Sequence, residues 1–281
     1  MSLSPLFPDV SVHRPVAAVN QRCADVILDR LAAIPKMVDV KPASRLEAQP
    51  TPEMVSTGVA AIDELTGGLP RGCLSEVCGT ASSGRTSMLL AVLAAATRRE
   101  EACALVDVSD SLDPASAAAA GVNFESLLWV RCGSRINSPR SRRDTEKNKN
   151  SETALDQALR VMDLLLQSGG FGMVILDLGD VPFRMARRIP LASWFRFQRV
   201  VEPTPTALLV ITQEACAKSC ASLLLKMKQR SAFSDQLSAK TPSHAELLEG
   251  FQVSAEVLRS RLQRKPSRSV TAFTSKAVRV G

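Results

Sequence analysis

Gly79-Thr80-Ala81-Ser82-Ser83-Gly84-Arg85-Thr86 has the frame of a phosphate-binding loop, G-x-x-x-x-G-K-[ST], with arginine where lysine is expected. The apolar run Leu74-Ser75-Glu76-Val77-Cys78 before it suits a buried strand. Residues 86–98, rich in Ala, Leu and Met, suit a helix after it. Strand, glycine-rich loop and helix together direct loop amides and a helix N-terminus at one anion, so a nucleotide is the expected ligand. Arginine is longer than lysine, planar and forked. Arg85 would therefore meet phosphate from a different position. The competing reading is a Gly/Ser-rich turn with no ligand.

The chain has 281 residues, 45% of them hydrophobic, which is enough for one sizeable core and a small appended region. No apolar run reaches the roughly 20 residues that span a membrane. Residues 1–20 carry Pro5, Pro8, Asp9 and Pro15 and lack the apolar stretch of a secretory signal. Seven cysteines without a C-x-x-C pair, and only His13 and His244 beside them, disfavour structural zinc and fit reduced cytosolic thiols. A net charge of +7 suits nucleic acid or an acidic partner without choosing between them.

Residues 1–50 read as a proline-punctuated arm with one amphipathic helix over 18–34. Its apolar face is Val19, Cys23, Ile27 (or Val26 beside it), Leu31 and Ile34. Residues 51–281 read as one core. Strands are expected at 74–78, 102–108, 127–130, 173–178 and 207–212. Helices are expected at 86–98, 114–120, 153–167 and 185–200, the last interrupted by Pro190. This alternation predicts an α/β fold: a mainly parallel sheet with helices on both faces. Three further β-like stretches, 221–228, 251–262 and 270–280, are expected to extend one edge as antiparallel strands. Residues 132–150 and 231–243 are polar and read as flexible loops.

The stretch from Ser56-Thr57-Gly58 through Gly67-Gly68-Leu69-Pro70-Arg71-Gly72 runs straight into the phosphate loop. It resembles the entry to the ATPase core of the RecA superfamily, written "STG…LD…GGLP.G" before "G-P-E-S-S-G-K-T". The likeness continues through Leu105-Val106-Asp107, Leu112-Asp113-Pro114 and Ala120-Gly121-Val122. Val174-Ile175-Leu176-Asp177 resembles the Walker B strand. Ile211-Thr212-Gln213 resembles the strand whose glutamine senses the terminal phosphate. The resemblance covers about residues 56–213. It implies ATP and Mg²⁺ as cofactors, with Gly79 to Thr86 around the phosphates and Thr86 and Asp177 at the metal. As a structural residue, Asp177 would instead cap its strand, and Gln213 would be a glutamine satisfied by backbone.

Three positions depart from that family. Arg85 replaces the lysine. Ser109 falls at the glutamate that polarises the attacking water, and serine cannot supply a carboxylate. Ser116 falls at a tyrosine that stacks on adenine, and the chain has no tyrosine. Glu214 to Cys220 is a short tract where a recombinase has a glycine-rich DNA-binding loop. This pattern of losses, with the tail Glu256 to Pro266, resembles the ImuA group of RecA-like proteins. Those are accessory factors in bacterial DNA-damage tolerance and mutagenic translesion synthesis.

That resemblance implies a degenerate ATPase in the cytoplasm, acting in the SOS response. Its partners would be an ImuB-type polymerase homologue, other translesion proteins or RecA. DNA, if bound, would be single-stranded and held without sequence preference. Candidate contacts to DNA or partner are Arg140, Arg142 and Arg143; Arg184, Arg187 and Arg188; and Arg259 and Arg261. Trp194, Phe195 and Phe197 beside the second group could stack on bases or fill the core. The basic loop 132–150 reads by default as a solvated surface, with a DNA or partner contact as the alternative. The competing function is an active DNA-dependent ATPase of recombinase type; a third is a scaffold with a vestigial loop.

Overall fold

A computed structural model of the chain describes residues 26–27, 29–30, 51–132, 153–229, 250–261 and 269–276. Contacts divide the chain into two units, Met1–Pro50 and Thr51–Gly281. In the first, Val26, Ile27, Asp29 and Arg30 are helical. The rest of the expected arm helix, loop residues 133–150 and 231–243, and Val278-Arg279-Val280 lie outside the described residues.

The second unit opens with β1 (Met54–Val55), α1 (Ala60–Thr66) and β2 (Leu69–Pro70), the two strands pairing antiparallel. There follow β3 (Leu74–Gly79), α2 (Arg85–Arg98), β4 (Cys103–Asp107), α3 (Pro114–Ala119) and β5 (Leu127–Arg131). After them come α4 (Ala154–Ser168), β6 (Met173–Asp177), α5 (Phe183–Ala186), α6 (Leu191–Val201) and β7 (Ala207–Thr212). β8 (Leu223–Gln229), β9 (Gly250–Ser260) and β10 (Val270–Lys276) complete the core. Eight strands form one sheet in the order β10-β9-β8-β3-β7-β6-β4-β5. β3 to β8 run parallel, whereas β9 and β10 are antiparallel to their neighbours. This is the expected α/β architecture with antiparallel strands at the C-terminal edge.

Strand side chains alternate between two apolar layers, because successive residues point to opposite faces. Met173 and Ile175 pack with Met88, Leu89, Val92 and Leu93 of α2. Val174 and Leu176 pack with Ala158, Met162 and Leu166 of α4 and Trp194 and Phe197 of α6. The Trp194 and Phe197 rings meet edge to face, with centroids 6.1 Å apart. Local signals set the helix starts. Thr153 and Asp156 form a capping box on α4, and Asp113 caps α3, whose first residue is Pro114.

Two expectations need correction. The helix expected over 185–200 is two helices. Pro190 is the N-cap of α6, because proline has no N–H to continue α5. The first late stretch is not antiparallel to the central sheet: β8 pairs parallel with β3, Leu223 lying opposite Ser75. Residues 213–222 carry the chain back across the sheet to start β8 at the same end as β3. That crossing is anchored by Glu76, fully buried in β3. Its carboxylate accepts from Cys216 N at 2.6 Å, Ala217 N at 3.2 Å and Thr212 Oγ1 at 3.2 Å.

The tail is part of the core. Val253 and Ala255 of β9 are fully buried with the α2-side layer. Ending the chain at Glu249 would remove both strands and open that layer.

Buried and exposed aromatics on α6 should separate in unfolding experiments. Phe197→Ala should cost about 3–5 kcal/mol in urea titrations. Phe195→Ala, at a side chain 45% exposed, should stay within about 0.5 kcal/mol of the parent. Equal losses would contradict the assigned orientation of the helix.

Candidate nucleotide-binding site

The candidate site lies at the C-terminal ends of the parallel strands, where open α/β sheets bind ligands. The register brings its parts together. Asp177, the last residue of β6, lies opposite Asp107 of β4 on one side and Ile211 of β7 on the other. β7 pairs in turn with β3, whose end opens the phosphate loop. One pocket is lined by Arg85, Thr86 and Leu89 of α2, Ser111 and Leu112, Asp177, Gly179 and Asp180, and Ile211.

The loop itself is tightly built. Ser82 and Gly84 have φ of 60° and 90°, the left-handed region that glycine enters freely. A Cβ at Gly84 would stand 2.8 Å from Val253 Cγ2, and one at Gly79 2.4 Å from Ser83 Oγ. The phosphate loop is therefore wedged against β9, and both glycines are required by close approach. Gly84 is the N-cap of α2 and provides no side-chain cap. The first-turn amides of α2 thus remain available to an anion. Ser83 Oγ is buried and has no hydrogen-bond partner among the described residues. An uncompensated buried hydroxyl in this loop fits a site that meets its polar ligand on binding. The residues present fit the phosphates of a nucleotide. Thr86, exposed at the start of α2, and Asp177 would hold Mg²⁺, which would neutralise phosphate charge.

Arg85 takes a position the loop sequence did not reveal. Its side chain is 8% exposed, and Nη1 donates to the Gly179 carbonyl at 2.8 Å. The guanidinium thus lies over the turn after β6. Asp177 Oδ1 accepts from Gly179 N at 2.8 Å, so Gly179 links the arginine and the carboxylate through its own backbone. Burial, reinforced by Asp107 and Asp180, pushes the Asp177 carboxyl up to about 6. The Gly179 N–H and Arg85 oppose that rise.

The departures from the ATPase pattern have defined surroundings. β4 ends at Asp107, and Ser109 is exposed in the bend that follows, outside the pocket lining. Asp110 cannot replace the missing carboxylate there. Its φ is 56°, and both its oxygens accept from Arg131, at 2.5 and 2.7 Å. That ion pair holds the Asp110 carboxyl below its usual range. Ser116, on α3, donates to its own N-cap Asp113 at 2.5 Å and offers no ring to adenine. Gln213 is half-buried just beyond β7 and does not line the pocket.

The described basic candidates lie on two different elements. Arg140, Arg142 and Arg143 lie outside the described residues. Arg184, Arg187 and Arg188 are exposed on α5 and the turn after it. Arg259 lies near the end of β9, opposite Leu224, and Arg261 follows just beyond the last strand residue, Ser260. Arg259 donates to the Lys218 carbonyl. Trp194 and Phe197 are core side chains, each 1% exposed, so the expected stacking platform is reduced to Phe195.

Sequence reasoning missed Asp107, Glu76 and Asp180. Asp107 is buried and accepts from Ser111 N, Leu112 N and Trp129 Nε1 at 3.1, 2.9 and 3.3 Å, shaping the segment that lines the pocket. A signal for Glu76 was present: an acid inside the apolar run Leu74–Cys78 needs donors. Asp180, three residues after Asp177, had only proximity to mark it.

Residues 29–135 match the family described as the RecA N-terminal domain. Over that region the chain is similar to RecA, and the relatives agree. The chain is 35% identical over 186 residues to Protein RecA of Deinococcus radiodurans, covering 60% of this chain and 45% of that protein. It is 37% identical over 127 residues to Protein RecA of Ectopseudomonas oleovorans, covering 44% of this chain and 31% of that one. Protein RecA of Rickettsia canadensis matches to the same extent, 37% over 127 residues. These matches support a place in the RecA superfamily. The chain spans less than half the length of these curated relatives. Among the described residues, no helix is long and apolar enough to cross a membrane.

The Asp177 shift has a definite pH signature. The folded-state value lies above the ordinary 3.8, so the fold favours the protonated carboxyl. That increment of stability is complete below the unfolded value and is lost as pH rises through about 6. Asp177→Asn removes the cost of the ionised form. Without nucleotide or Mg²⁺, the variant should gain about 1–3 kcal/mol at about pH 8 and nothing near pH 4. Thermal melts across that range provide the check, and an equal change at both ends would contradict the assignment.

Proposed function

We propose that this chain is a RecA-like accessory protein of DNA repair, acting in damage-induced translesion synthesis through binding rather than ATP turnover. The observation that carries this reading is the placement of Arg85. The loop cation is held by the Gly179 carbonyl at 2.8 Å, in the pocket wall beside the strand-end acid Asp177. The position expected to activate water is Ser109, and its neighbour Asp110 is committed to Arg131. Phosphoryl transfer depends on positioning and charge stabilisation, and both are altered. ATP with Mg²⁺ is the proposed ligand, held by the loop amides, Thr86 and Asp177. DNA, an ImuB-type polymerase homologue and other translesion proteins are the proposed partners, in the cytoplasm. The similarity to RecA proteins supports the DNA-repair setting. The losses at Arg85, Ser109 and Ser116 support the ImuA-like assignment over a recombinase.

The test is equilibrium nucleotide binding with a parallel hydrolysis assay, with and without single-stranded DNA. Nucleotide should bind while turnover stays very slow, since loss of one catalytic group commonly costs about 10²- to 10⁴-fold. Arg85→Lys together with Ser109→Glu should raise turnover above the parent. Steady hydrolysis near about one per second, abolished by Asp177→Asn, would establish an active DNA-dependent ATPase instead.

Partner binding should not depend on the loop. An Arg85→Ala chain should capture an ImuB-type homologue as well as the parent does. Loss of capture with the fold intact by circular dichroism would make nucleotide the organiser of the complex.

A further inference from the structure

The segment 181–201 carries five arginines, Arg184, Arg187, Arg188, Arg196 and Arg199, with no lysine, aspartate or glutamate among them. All five are exposed. Three large apolar side chains of the same segment are also exposed: Met185 at 40%, Leu191 at 38% and Phe195 at 45%. Leu191 and Phe195 are four residues apart on α6 and therefore neighbours on one side of the helix. Arginine and aromatic side chains are enriched, and lysine depleted, in the cores of protein interfaces.

One arginine already displays the chemistry of this face. Arg196 Nε and Nη2 donate to the two oxygens of Asp163 on α4, both at 2.7 Å. That is a fork-to-fork pairing with a carboxylate. Arg184, Arg187, Arg188 and Arg199 have no acidic partner among the described residues.

We infer that the α5–α6 face docks an acidic protein segment that brings carboxylates to the free arginines and apolar side chains to Met185, Leu191 and Phe195. A nucleic acid suits this face less well. Single-strand binding relies on rows of aromatic platforms, and Trp194 and Phe197 are buried while Met185 and Leu191 are aliphatic. A carboxylate-rich amphipathic segment meets both halves of the surface at once. The inference deepens the accessory reading by giving a partner surface its chemistry, and it is independent of the nucleotide site.

The experiment uses the full chain and fluorescence anisotropy with three labelled probes. One is a helical peptide with glutamates on one face and Leu and Phe on the other. The second has those apolar residues replaced by Ser. The third is an oligothymidylate. The first peptide should bind, and the Ser peptide should bind about tenfold more weakly. Arg187→Glu with Arg188→Glu, and separately Phe195→Ser, should each weaken the first peptide about tenfold. Arg184→Glu with Arg199→Glu should do the same, should the first pair fail to fold. Phe195→Ser should leave oligothymidylate binding unchanged. Nucleotide affinity should be unchanged in every variant, which separates this result from failure of the accessory reading. No binding of the first peptide, or equal binding of both peptides, overturns the proposal. So does an oligothymidylate loss that tracks the peptide loss in Phe195→Ser, which would assign the face to nucleic acid. Self-association of the parent that disappears in the same variants would assign it to a second copy and also overturn it.

Discussion

β3 is hydrogen-bonded along both edges, to β7 on one side and β8 on the other, and it is buried on both faces. Its C-terminal end opens directly into the phosphate loop, so the loop inherits the rigidity of the sheet centre. The carboxylate of Glu76 extends that constraint. It is a buried charge-capable group, and burial pushes its carboxyl upward. Leaving it unpaired would be costly. Its acceptors take up two backbone amides of the crossing segment that no strand satisfies. The same contact ties the end of β7, where Gln213 sits, to the strand that presents the loop.

That arrangement explains why the C-terminal strands matter to the candidate site. Val253 of β9 packs against Gly84, where any Cβ would collide. The loop thus has sheet beneath it and β9 beside it. Within this cradle, the longest side chain of the loop motif is that of Arg85. It is long enough to reach the turn after β6, and the Gly179 carbonyl provides a neutral acceptor there. A guanidinium that finds a buried acceptor is held more firmly than one extended into solvent. A nucleotide at this loop would therefore have to compete with an internal partner for the cation of Arg85.

The described arginines lie in different settings. Arg131 is paired with Asp110 and stacked over Trp129, 4.9 Å from the ring centroid. Arg259 is bound to a backbone carbonyl. These arginines are committed to the fold. The α5–α6 group is the described arginine cluster left largely unpaired, and there basic and apolar groups coincide. Net charge alone does not distinguish committed from available arginines, although only the latter can recruit a partner.

The sequence by itself determined the strand–loop–helix unit, the alternation of strands and helices, and the positions of Asp177 and Thr86, because these follow from local periodicity and fixed motif spacing. Through the resemblance to the RecA superfamily it also marked Ser109, a serine where that family carries a carboxylate. Only the tertiary structure decided that β8 returns parallel to β3, because strand direction depends on where residues 213–222 travel. The same holds for Arg85: its acceptor, Gly179, is distant in sequence, and a flexible side chain takes its direction from whichever acceptor the fold places within reach. Trp194, Phe195 and Phe197 are close together in sequence. The helix turns two of them inward and one outward, and the orientation of α6 against the sheet settled which.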